Sequence, residues 1–181
     1  MKTDLRVVKT HRDLTQALLR LLERDNFASI TVNDICVEAL VGRSTFYDHF
    51  EDKYSLLELL FKTERMSTRE HAQSEATLDL IKSVLYMIKE NEVIFRNLLP
   101  LNEDQQIVEL IRSTWLEDVL KYNETHLENG DLKDVPLEFI SDFLAGGYTM
   151  GIIDWIHNGL KTSVEDMALY QYKMLHQFVK P

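Results

Sequence analysis

Apolar residues recur at steps of three and four along almost the whole chain, the spacing that gathers them on one face of a helix. Val7, His11, Leu14, Leu18 and Leu21 make a first stripe, and Val32, Ile35, Cys36 and Ala39 a second, shorter one. Leu56, Leu57, Leu60 and Phe61 continue the pattern, then Leu78, Ile81, Leu85 and Ile88, then Val108, Ile111, Trp115 and Val119. Ser29-Ile-Thr-Val32 is the one strand-like string, and it is too short to build a sheet. The pattern predicts an all-α fold of about nine helices. Cap signals punctuate it. Thr31-Val-Asn-Asp34 and Ser163-Val-Glu-Asp166 read as capping boxes with an acidic third residue, Asp52 as the N-cap of a helix from about Lys53, and Pro136 as a helix start.

Two late helices are apolar beyond what one face requires. Ile140, Phe143, Leu144, Gly147, Tyr148, Gly151, Ile152, Trp155 and Ile156 point to more than one side, so this helix needs cover twice over. The chain's own core supplies one cover and a second subunit the other. Gly147 and Gly151, four apart, permit close helix approach, and Met167, Gln171, Met174 and Phe178 form a matching stripe on the last helix. The expected dimer interface is therefore Gly147, Gly151, Trp155, Met167, Gln171, Met174 and Phe178, two helices from each partner; one thick monomer core is the alternative.

Composition narrows the function classes. The 181 residues are 45% apolar and 28% charged, as in a globular chain with a sizeable core. Only 6 Gly and 3 Pro argue against a turn-rich all-β fold. The single cysteine, Cys36, excludes an internal disulfide and any multi-cysteine metal site, and its place on an apolar stripe reads as a packed thiol. Asp154 and His157 have ligand spacing but lack the further carboxylate–His pairs a helical metal site needs, so no metal is expected. No nucleophile elbow, phosphate loop or dinucleotide fingerprint occurs, so neither enzymatic activity nor a cofactor is expected. The longest apolar run, from Phe143 to Ile153, is too short to span a bilayer, and Met1 to Asp13 lacks a signal-like apolar core. A cytoplasmic protein without membrane contact is the expectation.

A net charge of −10 argues against nucleic acid until its distribution is read. Residues 1–65 carry 10 basic and 11 acidic side chains, whereas residues 66–181 carry 10 and 19. The acidity is C-terminal, and a local face of cations is enough to attract DNA.

The informative segment is Thr31 to Lys53, TVNDICVEALVGRSTFYDHFEDK. A short helix near Val32–Ala39, a turn at Leu40-Val41-Gly42 and a second helix from Arg43 to about His49 make a helix-turn-helix, whose second helix enters the major groove in DNA-binding proteins. Phe46 and Phe50 share the inward side. Arg43, Ser44 and Tyr47 share the other, a polar and aromatic-tipped face suited to base edges and phosphates.

The run Asn26-Phe27, Ile30-Thr31-Val32, Asp34-Ile35, Ala39, Thr45-Phe46-Tyr47, His49-Phe50 and Lys53 to Leu56 resembles the tetracycline-repressor (TetR) family of bacterial transcriptional regulators over about residues 10–61. The stretch from Phe143 to Trp155 is similar to a subgroup that includes regulators linked to dihydroxyacetone metabolism. The resemblance implies a helix-turn-helix DNA-binding domain over 1–52 and a helical effector-binding and dimerisation domain over 53–181, with a helix over about 53–67 as connector. It also implies contacts to double-stranded DNA by Thr31, Arg43, Ser44, Thr45, Tyr47, His49 and Lys53. Arg43 is the base reader, whose fork suits guanine O6 and N7. Thr31, Tyr47, His49 and Lys53 are the phosphate contacts. Two departures stand out. The family places Gly in the turn where this chain has Leu40, and often Ser at the next cap where it has Gly42. A bulky residue at positive φ is costly, so either the turn has another shape or Leu40 is relaxed.

The family's effector cavity lies between middle helices, where Tyr86, Phe95, Trp115 and Tyr148 are candidate lining residues; aromatics at helical spacing also serve as plain core. The expectation is a homodimeric repressor on an inverted-repeat operator, controlled by a small-molecule effector. A regulator or activator with the same DNA-binding domain, controlled by a partner protein, is the alternative.

Overall fold

The computed structural model describes residues 5–71, 77–99, 104–126 and 134–178, and their side chains other than those of 65–71, 121–126 and 177–178. Among these residues there are nine helices and no strand: α1 (Leu5–Leu22), α2 (Val32–Ala39), α3 (Arg43–Tyr47), α4 (Lys53–His71), α5 (Thr77–Glu90), α6 (Glu92–Leu98), α7 (Gln105–His126), α8 (Leu137–His157) and α9 (Val164–Phe178). The all-α expectation holds. No described helix is long and apolar enough to cross a membrane. The chain divides into two compact units, Met1–Glu64 with Val93–Asp104, and Arg65–Glu92 with Gln105–Pro181.

The first unit is built on α1, whose apolar stripe buries Leu14, Ala17, Leu18, Leu21 and Leu22. Phe27, Ile35, Phe46, Leu56 and Leu57 complete the core, each fully buried and each contributing about 1.5–3 kcal/mol by transfer from water. The capping box at α2 forms as its spacing requires. Thr31 Oγ1 accepts the Asp34 N–H at 3.2 Å, and the Asp34 carboxylate accepts the Thr31 N–H at 2.9 Å and its hydroxyl at 2.6 Å. These bonds, the hydroxyl's first, hold the Asp34 carboxyl below the usual range. Ser55 N–H donates to Asp52 at 2.8 Å, which caps α4.

A stretch distant in sequence returns to this unit. Phe27 N–H donates to the Asn97 carbonyl at 2.9 Å, and Asn97 Nδ2 donates to the Leu22 carbonyl at 2.8 Å. Tyr54 donates its hydroxyl to Asp104 at 2.6 Å. Leu98 and Leu99 are buried beside them in the sequence.

In the second unit α5 packs on α9 and α7 on α8. Val119, Ile140, Leu144, Tyr148 and Leu175 form one cluster, with Val135 against it. Tyr148 donates to the Gln171 carbonyl, Thr149 to the Ala145 carbonyl and Trp155 Nε1 to the Thr162 carbonyl, while the buried Gln171 Nε2 has no partner among the described residues. Ser163 caps α9, accepting the Asp166 N–H at 3.0 Å. Arg112 on α7 ties Glu109 to Asp142 of α8.

Candidate nucleic-acid interface

The turn before α3 is shaped by Leu40. It ends α2 in the left-handed region, φ 56 and ψ 37, and the Val41 N–H closes onto the Cys36 carbonyl at 3.0 Å. The turn thus keeps a geometry suited to Gly, and a leucine occupies it, 94% exposed. Neither option open in the sequence is realised: the turn keeps its shape and Leu40 is held at positive φ. Gly42 is the N-cap of α3 in extended conformation and supplies no side-chain bond.

α3 is short, and one residue anchors it. Phe46 is fully buried, and its neighbour Phe50 lies with it at 5.6 Å between ring centroids. Arg43, Ser44 and Tyr47 consequently face out and are exposed, while Thr45 and His49 are half-buried. Tyr47 rests edge-on against Phe46 at 5.5 Å between ring centroids and stays half exposed. Among the described residues Arg43 makes no ion pair. Glu38, its conceivable partner, is taken by Arg20 at 2.6 Å and Arg24 at 3.1 Å, which hold its carboxyl below the usual range. Cys36 is buried, and burial pushes its thiol up against the opposing pull of Arg43.

Two expected phosphate contacts are engaged elsewhere. The Lys53 ammonium donates to the Phe27, Ala28 and Ile30 carbonyls at 2.7, 3.3 and 2.9 Å, and it lies 4.5 Å over the Phe27 ring. Three protons meet three acceptors, so this lysine locks the turn between α1 and α2. Burial lowers its pKa, and Asp104 opposes that shift. The Thr31 hydroxyl is exposed but gives its proton to Asp34. The sequence reading missed a further neighbour. His11 of α1 meets the His49 ring edge-on at 5.0 Å and the Phe50 ring at 5.0 Å. Its place on the apolar stripe of α1 was the only signal.

The effector candidates fall in different places. Trp115 and Tyr148 come together at 6.3 Å, edge to face. Tyr86 is exposed and donates to Glu165 of α9. Phe95 lies in α6, in the unit that holds the helix-turn-helix. The interface candidates also divide. Trp155 and Gln171 are buried inside their own chain, 5% and 6% exposed, so they do not face outward as expected. Gly151 faces Met167 within the same chain, where an added Cβ would meet Met167 Cε at 3.9 Å. Gly147 and Met174 are exposed, and Phe178 ends α9 with its side chain outside the described residues. The outward apolar stripe of α8 is Phe139, Phe143 and Met150, with Tyr170 and Met174 on α9. The pattern of alternating faces was legible; which face the chain keeps for itself was not.

Comparison with known proteins fits this arrangement. A family model described as "Bacterial regulatory proteins, tetR family" matches residues 14–60, and one described as "Transcriptional regulator C-terminal region" matches residues 75–177. An uncharacterized HTH-type transcriptional regulator, YxbF, of Bacillus subtilis (strain 168) is 29% identical over 113 residues. Those residues are 62% of this chain and 28% of that protein, so the chain spans under a third of its relative. A TetR transcriptional regulator of Streptococcus agalactiae 2603V superposes with a TM-score of 0.69 at 28% identity, over 95% of this chain and 96% of that one. The dihydroxyacetone kinase operon activator DhaS shares the fold, with a TM-score of 0.63 at 19% identity over 94% and 96% of the two chains. With matching models at both ends and one of them covering more than half its length, this chain belongs to the tetR family of bacterial regulatory proteins.

Proposed function

We propose that the chain is a DNA-binding transcriptional regulator that works as a homodimer, with α3 in the major groove. The observation that carries this is the outward face of α3: Arg43, Ser44 and Tyr47 are exposed together on a helix pinned from behind by buried Phe46. Arg43 is the base-reading residue, because its guanidinium is not committed to an ion pair among the described residues. Ser44, Thr45, Tyr47 and His49 surround it as backbone contacts. Thr31 adds the N-terminus of α2, which favours phosphate through its amides even with the hydroxyl engaged. Lys53 acts behind this face, holding the loop that carries α2.

Dimerisation uses the apolar stripes of α8 and α9, where Phe139 and Phe143 are 65% and 60% exposed. Two such subunits present two α3 helices to half-sites about 34–36 Å apart or a multiple of that, so the operator is an inverted repeat. The regulator is read as a cytoplasmic repressor, released when a small molecule binds the second unit and favours one of two dimer states. Trp115 and Tyr148 are the lining residues best placed for such a ligand, and α4 carries the change.

Retardation of duplex DNA by the purified protein tests the reading. Affinity should fall steeply as salt rises, because cations replace counterions on the phosphates. Absence of salt-dependent duplex binding overturns it, and binding that appears only with cell extract favours control by a partner protein.

A further inference from the structure

Resting on the reading in which His49 lies against a DNA phosphate, we infer that His11 is a positioning residue for His49 and that the two imidazoles together take up one proton when a duplex docks. His11 stands on α1 and His49 just beyond α3, so the contact joins the first helix to the end of the reading helix. Their rings meet at 5.0 Å and 87°, and Phe50 backs His11 at 5.0 Å. The His49 backbone is fixed by its N–H to the Phe46 carbonyl at 3.0 Å. His11 Nε2 is buried and has no hydrogen-bond partner. A buried ring nitrogen without a partner is costly, and it asks for a donor.

His49 is that donor once it is charged. A neutral imidazole has one N–H, whereas the imidazolium has two. Protonated His49 gives one N–H to a phosphate oxygen and the other to His11 Nε2. The ring spacing is close to that of two imidazoles joined by an N–H···N bond of about 2.9 Å. The proton comes from solvent, and His11 stays neutral with its own proton on Nδ1. Burial, and then the charge of His49, hold the His11 pKa below the ordinary value, which keeps it the acceptor of the pair. The groups facing His11 favour this division. His49 and Phe50 are its described ring neighbours, the charge acting on it is that of His49, and on α1 itself Asp13 is taken by Arg12 at 3.0 Å. A docked phosphate favours the charged form of the pair, so binding draws a proton from solvent.

The sign follows from linkage. If binding takes up a proton, affinity falls as pH rises past the pair's titration, by at most about tenfold per pH unit. The probe is a mixed-sequence DNA duplex at fixed salt, followed from about pH 6 to 8, across the ordinary histidine value. The wild-type protein is expected to show this fall. His11→Phe keeps a ring against Phe50 without the nitrogen; it is expected to bind several-fold more weakly at the acidic end and to lose most of the slope. His11→Gln restores an acceptor and is expected to recover the slope. Equal slopes in wild type and both variants overturn the inference. Calorimetry of the wild-type protein in two buffers of different ionisation enthalpy counts the protons without any variant: uptake approaching one supports the pair, and zero overturns it. Failure of the wild-type protein to bind the duplex at all overturns the DNA-binding reading itself, whereas binding without proton uptake overturns this inference alone.

Discussion

Leu40 shows what a single residue costs this fold. A leucine at φ 56 holds a conformation that an L-residue adopts at about 1–2 kcal/mol and glycine adopts freely. Its side chain is almost wholly in water, so little packing offsets the strain. Leu40→Gly should therefore raise stability by about 0.5–1 kcal/mol, net of glycine's greater unfolded-state entropy, read as a higher midpoint in urea with unchanged m. Lys53 is the opposite case. Lys53→Met keeps the stem but strands three carbonyls, and it should cost about 1–3 kcal/mol in the same measurement. Arg43→Ala should leave that midpoint within about 0.5 kcal/mol, because an exposed side chain away from special features contributes little. Its effect should appear in a comparison of operator variants, as relaxed preference at one base position, worth about 1–3 kcal/mol of discrimination. The outward place of Arg43 was legible from helical spacing against Phe46 and Phe50. The engagement of Lys53 was not, because its acceptors are backbone carbonyls some twenty-five positions away and carry no residue signature.

Among the elements, α2 depends most on its ends, being only 8 residues long. Thr31→Ala removes the acceptor of the Asp34 N–H and should cost about 1 kcal/mol of thermal stability. The same box gives a pH dependence. Asp34 has a lowered folded pKa, so its contribution is present above the unfolded value and is lost as pH falls through the folded one. Acid unfolding of Thr31→Ala should accordingly begin at a higher pH than in the wild type. Tyr54 titrates at the other extreme. The hydrogen bond to Asp104, followed by burial, pushes its hydroxyl up to about 12. Its contribution is complete below the unfolded value of about 10 and is lost as pH rises through the folded one. Spectroscopic titration of the tyrosines should show late ionisation by Tyr54 and by Tyr86, which its bond to Glu165 also pushes up, and Tyr54→Phe should remove one group from that late step. The capping box at Thr31 and the caps at Ser163 and Asp52 were readable because cap geometry is local and three residues long. The return of Asn97 to Leu22 and Phe27 was not readable, since nothing in the run Glu-Val-Ile-Phe-Arg-Asn-Leu distinguishes a helix of one unit from a helix of the other.

For the whole molecule, the test is assembly. Phe143→Glu places a charge on the outward stripe of α8 and should convert a dimer to monomers in sedimentation, with the helical content unchanged. Retention of a dimer would move the interface elsewhere. Gln171→Ala, by contrast, touches a side chain buried within its own chain and should not change sedimentation. Helical periodicity announced that α8 is apolar on more than one side, yet it could not divide the faces, because both covers select the same residue types.

The homecoming of Val93–Asp104 has a consequence for how such a regulator can be taken apart. A fragment cut after Glu64 has every residue of the helix-turn-helix and still lacks part of its own scaffold: the Leu22 carbonyl and the Phe27 amide would be left to solvent, and Tyr54 would lose its acceptor. The reader is therefore no detachable cartridge. Grafting it onto another body would require carrying the distant patch along, and the gene that encodes it must keep both stretches in one frame.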